Sequence, residues 1–357
     1  MTKRLVICCD GTWNTPDQPA PTNVSRFALG VAPVDGAGHE QRVYYHPGVG
    51  TRPGERLWGG AFGFGLSRAV RDAYRFLVRT YRPGDELFLV GFSRGAYTAR
   101  SLAGLLRNCG ILRPEHEDRI GEAYALYRAR GSATHPRSAA AELFRRSRSR
   151  ETRIRFLGVW DTVGALGIPL SGLRLVNLVN RRWQFHDTEL SSSVDAAFQA
   201  LAIDERRPPF RPALWHPRPG TAGQRVEQVW FSGVHSDVGG GYPDRALADI
   251  SLNWMVERAR AHGLAFSPGA FSGADPDPLG PAHESRTGFY RLMRAYVRPL
   301  GTTAFEYAAS SAVQRRAMVT GYAANLGAYL AEGGAVLPVG TGSGEARPAP
   351  HREAEPA

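Results

Sequence analysis

Leu87-Phe-Leu-Val-Gly-Phe-Ser-Arg-Gly-Ala-Tyr-Thr-Ala-Arg100 is the stretch on which the reading of this chain turns. Leu87 to Val90 is a short apolar run with the composition of a buried strand. It passes through Gly91-Phe92-Ser93-Arg94-Gly95, a Gly-x-Ser-x-Gly pentapeptide, into Ala96 to Arg107, whose Ala, Leu and Arg content favours helix. Strand, sharp turn and helix thus follow one another with serine at the apex. A serine so placed sits in strained backbone, and small residues at Gly91 and Gly95 let strand and helix approach each other. The helix start points N–H groups and the positive end of its dipole toward the hydroxyl, which suits an oxyanion. Ser93 is therefore the expected nucleophile, weighed against a purely structural tight turn.

The bulk properties bound what such a serine could serve. The chain has 357 residues, 43% hydrophobic and 22% charged, enough to bury an ample core. Its net charge of +11 is carried almost wholly by arginine, with Lys3 the only lysine. The arginines are spread along the chain without zinc-finger spacing or an aromatic-interleaved basic motif, so nucleic acid is not an expected partner. Peripheral contact with an anionic membrane fits the charge better. Cys8, Cys9 and Cys109 are too few and too oddly spaced for a disulfide framework and point to a reducing, cytoplasmic setting, with secretion by a signal-independent route left open. The N-terminal apolar run is too short for a signal peptide, and no stretch approaches a membrane span.

Leu5 to Cys9 reads as the first strand, ending in Asp10-Gly11-Thr12-Trp13-Asn14. Asp10 borders the expected active site in this loop, and Gly11 or Thr12 would supply a second oxyanion N–H beside that of Arg94. A second strand is expected at Val43 to His46. Gly59, Gly60, Gly63 and Gly65 precede a helix from about Leu66 to Tyr81, but no strand leads into them and no acidic residue follows at the needed distance, so no dinucleotide cofactor is expected. Helices follow at 115–130 and 139–150, then a strand from Arg153 to Trp160 that ends in Asp161. A carboxylate at the end of a buried strand is placed to orient an imidazole.

The apolar segment from Pro169 to Phe185 reads as a cap over the pocket, spanning about 165–225, or equally as a buried helix, with the cap preferred. A helix is expected at about 192–204 and a strand at Glu227 to Phe231. That strand runs into Ser232-Gly-Val-His-Ser-Asp-Val-Gly-Gly-Gly-Tyr242, in which Gly239 and Gly240 let the backbone approach a ligand closely. His235 in this loop is the expected general base, and Asp237 is a second choice for the acid of the triad. A helix from Leu247 to about His262 and another within Phe289 to Ala312 complete a single domain over 1–335. From about Gly340 to residue 357 the composition is that of a disordered tail.

Three strand ends thus offer Ser93, Asp161 and His235 in the chain order of α/β-hydrolases: a mostly parallel sheet flanked by helices, with a helical cap. Cys9-Asp-Gly-Thr-Trp-Asn14, Gly91-Phe-Ser-Arg-Gly-Ala96, Gly158-Val-Trp-Asp-Thr-Val-Gly164 and Gly233-Val-His-Ser-Asp-Val-Gly-Gly-Gly-Tyr242 together resemble the α/β-hydrolase domain also found in type VI secretion phospholipase effectors. Asp204-Glu-Arg-Arg207 is similar too, and the likeness runs from about Lys3 to Val256. The resemblance implies a serine hydrolase, with phospholipase activity in the effector branch. The expected substrate is a small ester or a lipid or phospholipid ester, with no metal or cofactor. Two other readings stand beside this one: a metal-dependent hydrolase in which Asp10, Asp161, His235 and Asp237 converge on a divalent ion, and a hydrolase-fold module that binds without catalysing.

Overall fold

The computed structural model describes residues 2–11, 14, 18–48, 61–129, 134–163, 190–216 and 223–340, and the backbone alone at 61–64. In chain order its strands are β1 (Arg4–Cys9), β2 (Gln41–His46), β3 (Glu86–Phe92), β4 (Ile111–Leu112), β5 (Ser149–Arg150), β6 (Ile154–Trp160), β7 (Ala196–Ala202), β8 (Arg225–Phe231), β9 (Glu306–Ala309) and β10 (Val336–Leu337). β4 and β5 form a small antiparallel pair. The other eight build one parallel sheet in the order β10-β9-β8-β7-β6-β3-β1-β2.

The serine strand lies inside this sheet, and its residues alternate between two cores as a strand buried on both faces must. Phe88, Val90 and Phe92 join one core, with Val6, Cys8, Phe156 and Trp160 from neighbouring strands. Leu87 and Leu89 join the other, with Leu5, Ile7, Leu157 and Val159. The first core is closed by α1 (Asn23–Gly30) through Phe27 and by a later helix through Trp254 and Met255. The second is closed by α2 (Ala61–Thr80), α3 (Arg94–Cys109), α4 (Ile120–Arg128) and α5 (Ala139–Arg148), through Tyr74, Leu102, Ile120 and Phe144. The remaining helices are α6 (His235–Gly239), α7 (Ala246–Ala261), which carries Trp254, α8 (Ser310–Met318) and α9 (Ala324–Ala331). The expected architecture, a mostly parallel sheet flanked by helices, is the one observed.

Some assignments are overturned. The helix expected at about 192–204 is the strand β7, hydrogen-bonded between β6 and β8 and buried at all seven positions. Ala-Ala-Phe-Gln-Ala-Leu-Ala has strong helix propensity, yet small side chains also suit a central strand crowded from both faces, and tertiary packing decides. The glycine-rich loop expected at His235 closes instead into the short helix α6. The helix expected within Phe289 to Ala312 is instead a 3-10 turn at Gly288–Leu292 and the strand β9, with α8 starting only at Ser310. α1, β10 and α9 have no counterpart in the sequence reading, each being short and weakly patterned. The cap expected over about 165–225 is not a continuous one, since Ala196–Ala202 within it is the sheet strand β7; its apolar segment 169–185, and residues 341–357, expected as a tail, lie outside the described residues. Cys8, Cys9 and Cys109 are free and buried, and the Cys9 thiol is pushed up to about 12 by burial first and by the Asp10 charge second.

The elbow depends on contacts that leave no room for a side chain. A Cβ on Gly91 would stand 2.5 Å from the Gly95 carbonyl oxygen, and one on Gly95 would overlap the Cys9 carbonyl. Gly95→Ala should therefore destabilise the protein by about 1–3 kcal/mol, the cost of forcing extra volume against backbone. In Gly121→Ala, on the exposed side of α4, the added methyl meets nothing within 4 Å. That change should instead stabilise by about 0.5–1 kcal/mol. Urea unfolding of the two variants beside the parent checks both signs.

Candidate active site

Because β3, β6 and β8 are parallel, the loops after them emerge at one edge of the sheet, where ligands of open α/β sheets sit. Ser93 follows β3, Asp161 follows β6, which pairs with β3, and His235 follows β8, one strand beyond β7. The backbone N–H of Ser93 donates to the Trp160 carbonyl at 3.0 Å, and that of Asp161 to the Ala200 carbonyl at 2.7 Å, so each turn is pinned to its neighbouring strand. Ser93 has φ 56° and Asp161 φ 38°, two of the three non-glycine residues in the left-handed region among those described. Strain of this kind collects at functional sites.

The three side chains meet. Ser93 Oγ lies 2.8 Å from His235 Nε2, and His235 Nδ1 lies 2.6 Å from Asp161 Oδ2. A carboxylate can only accept, which places a proton on Nδ1 and leaves Nε2 to accept from the Ser93 hydroxyl. The Phe92 ring packs against the imidazole at 4.6 Å between centroids and Phe210 meets it edge-on at 5.0 Å. Gly239 is what admits Phe92 here, since a Cβ on it would overlap that ring.

Asp161 has no exposure to water, and sequence reasoning missed what holds it there. Arg298, equally buried, donates from Nη1 to Oδ1 at 2.6 Å and from Nη2 to Oδ2 at 3.0 Å. The same two nitrogens donate to the carbonyls of Ala202 and Phe210, and the Ala202 N–H completes the set on Asp161 Oδ1 at 3.1 Å. Burial pushes the Asp161 carboxyl up, but the Arg298 charge and the bonds from His235 and Arg298 outweigh it and hold the group well below the usual carboxylate range. No local motif marks Arg298: it sits in a loop 137 residues from its partner.

Asp237 is not at the serine. Its carboxylate accepts from the Val234 N–H at 2.9 Å, closing the start of α6, and from the His283 N–H at 3.1 Å, with His283 Nδ1 at 2.6 Å from the other oxygen. Asp10 is likewise engaged elsewhere, accepting from Thr22 Oγ1 and Tyr45 Oη and from the Gly11 N–H, each at 2.6 Å. Burial raises its pKa and these hydrogen bonds oppose the rise. The four residues of the metal reading therefore do not converge, and among the described residues no group of three or more His, Cys, Asp or Glu side chains is placed to hold a metal ion. Gly11 itself lies against the elbow, where a Cβ on it would stand 3.4 Å from that of Ser93. Its N–H, however, already serves Asp10, and Thr12 lies outside the described residues. Arg94 is the first residue of α3, at the positive end of the helix dipole. Gly240, with φ 80°, brings its backbone against Asn23, whose Nδ2 donates to the Val238 carbonyl at 3.0 Å and so ties α1 to α6.

Glu205 is a second fully buried carboxylate behind the imidazole, accepting from the His235 N–H at 3.3 Å and from Ser285 Oγ at 2.9 Å. Burial raises its pKa, but hydrogen bonds and charge from Arg207 bring it below the ordinary value. Its sequence signal was the Asp204 to Arg207 stretch, to which no role attached.

The Arg298–Asp161 pair generates a pH-dependent prediction. In the native protein a depressed Asp161 pKa adds stability above the unfolded value of about 3.9, and this is lost as pH falls through the native value. In Arg298→Met, burial is left to push the carboxyl up, so the folded variant keeps its proton to higher pH and loses stability as pH rises. The deficit of the variant should grow from about pH 4 upward and reach about 3–5 kcal/mol near neutrality. Urea unfolding at both pH values checks it, and equal deficits would refute the ionisation account. Arg298→Lys should recover part of the loss and serves as the test protein if the Met variant does not fold.

The uncharacterized protein YEL023C of Saccharomyces cerevisiae is 30% identical over 240 residues, 61% of this chain, and the chain spans about a third, 33%, of that relative's length. Among solved structures, an uncharacterized protein from Pseudomonas aeruginosa is 19% identical, with 75% of this chain and 47% of the other covered at a TM-score of 0.47. The Tle1 effector bound to the VgrG spike of the type 6 secretion system is 20% identical, covering 68% of this chain and 52% of the other at 0.41. Residues 3–258 match the family described as T6SS, phospholipase effector Tle1-like, catalytic domain, and to that family this chain belongs.

Proposed function

We propose that this protein is a serine hydrolase of carboxylic esters, with lipid and phospholipid esters as its substrate class. The observation that carries the reading is the continuous line of hydrogen bonds from Ser93 Oγ through His235 to Asp161, with serine at a strained strand-to-helix apex. Membership of the phospholipase effector family supports the choice of ester. Free, buried cysteines are in keeping with the cytoplasmic setting expected from the sequence.

In this mechanism His235 Nε2 takes the hydroxyl proton as Ser93 Oγ attacks the ester carbonyl carbon. The carbonyl oxygen becomes an oxyanion, stabilised by the Arg94 N–H at the start of α3. On collapse the C–O bond to the alcohol breaks, and the leaving oxygen takes the proton from His235. Water then gives its proton to Nε2 while its oxygen attacks the acyl-serine, and the acid departs with Ser93 restored. Asp161 keeps the Nδ1 proton in place throughout and stabilises the imidazolium. Arg298 keeps Asp161 ionised and aimed, acting as a positioning residue.

Hydrolysis of a short-chain nitrophenyl ester, together with labelling by a fluorophosphonate, tests this. Ser93→Ala should abolish labelling, and Ser93→Ala and Asp161→Asn should each lower kcat by about 10³–10⁵-fold. Asp237→Asn should stay within about tenfold of the parent, because that carboxylate organises the loop and does not touch His235 Nδ1. Retained turnover in Ser93→Ala would sink the nucleophile assignment.

A further inference from the structure

The stretch Arg286-Thr-Gly-Phe-Tyr-Arg-Leu-Met-Arg-Ala-Tyr-Val-Arg298 lies beyond the residues that match the family and contains no acidic residue. It carries three of the eleven exposed large hydrophobic side chains among the described residues: Phe289, 56% exposed, Leu292, 83%, and Val297, 61%. Arg291 and Arg294 are exposed between them, and neither side chain has a hydrogen bond or ion pair among the described residues. Apolar side chains and arginines are thus interleaved along one exposed segment.

That segment is tied to the fold at several points. Gly288–Leu292 forms a 3-10 turn, and Arg286 Nη2 donates to the carbonyls of Arg291 at 3.2 Å and Met293 at 2.8 Å. The Tyr296 N–H donates to the Arg206 carbonyl at 2.9 Å, and Arg298 grips Asp161. Tyr290, pointing inward, meets Phe210 edge-on at 6.2 Å, and Phe210 touches the His235 ring. The exposed side chains are therefore presented by a braced segment that borders the Ser93 site.

We propose that residues 286–297 form the surface by which this protein docks on an anionic phospholipid bilayer, with Phe289, Leu292 and Val297 entering the interface and Arg291 and Arg294 meeting lipid phosphates. The proposal rests on the ester-hydrolase reading for its purpose, which is to bring the site to the surface that holds its substrate. Side chains with an apolar body or tip gain by leaving water at the boundary of headgroups and acyl chains, and nearby arginines add attraction to anionic lipid. Every charged side chain of 286–298 is an arginine, and this charge complements anionic lipid phosphates while the apolar side chains between them suit the acyl boundary.

Vesicle co-sedimentation in a Ser93→Ala background reads binding without turnover. The parent should bind vesicles of equal parts phosphatidylcholine and phosphatidylglycerol more tightly than pure phosphatidylcholine. Phe289→Ser with Leu292→Ser should raise Kd on both about tenfold or more. Arg291→Gln with Arg294→Gln should weaken binding about fivefold per arginine on the anionic vesicles alone, and less at high salt. With Ser93 intact, both double variants should keep the parent kcat/KM on the soluble nitrophenyl ester. Unchanged vesicle affinity in the variants, a parent that ignores anionic vesicles, or a parallel loss of soluble-ester turnover would overturn the proposal. So would a parent dimer, seen by sedimentation, that the Phe289 and Leu292 changes dissolve while no vesicle is bound. Absent esterase activity would instead count against the reading of the site, since the binding arm needs none.

Discussion

A charge enclosed by protein at the end of β6 sets the terms for everything around it. Asp161 has lost its water, and an ion in that position costs several kcal/mol unless a partner meets it with good geometry. Arg298 meets it with a two-point contact, and as a buried cation makes demands of its own, answered by the carbonyls of Ala202 and Phe210. Four separate parts of the chain are joined by this one exchange: the ends of β6 and β7, the turn at Pro208–Phe210, and the loop before β9. His235 then uses Asp161 Oδ2, and its ring direction is set by that bond. The family match ends at residue 258, yet the counter-ion arrives from residue 298, so the later part of the chain is integral to the site.

A second constraint is closeness of approach. The elbow brings α3 so near to β1 that Gly95 touches the Cys9 carbonyl, and α6 so near to β3 that Gly239 meets the Phe92 ring. Ser93 can hold φ 56° because the helix behind it and the β6 hydrogen bond ahead of it leave no alternative. Buried carboxylates extend the same logic outward. Asp10 draws the β1 loop to Thr22 and Tyr45, Glu205 draws Arg207 and Ser285 behind the imidazole, and Asp237 draws His283 to the start of α6. Each binds a loop at the sheet edge to a neighbour distant in sequence, which converts flexible connections into a rigid rim.

Local pattern made much of this readable in advance. An apolar run ending in Gly-x-Ser-x-Gly is a strand and an elbow because only those side chains fit the approach, and that much is settled within a dozen residues. That Asp161 and His235 would reach the same sheet edge was legible for a related reason, since each follows an apolar strand and parallel strands deliver their ends to one edge. The same reasoning failed at Ala196–Ala202, where alanine's preference for helix yielded to the confinement between β6 and β8. It could not see Arg298, one arginine among many, because nothing in its neighbours says which carboxylate it will face. Nor could it separate Asp161 from Asp237 by geometry, or show that the Gly11 N–H is already taken by Asp10. Strand, turn and small-residue spacing are short-range properties and are written locally. The pairing of buried charges, and the choice among chemically equal side chains, are long-range properties that exist once the chain has folded.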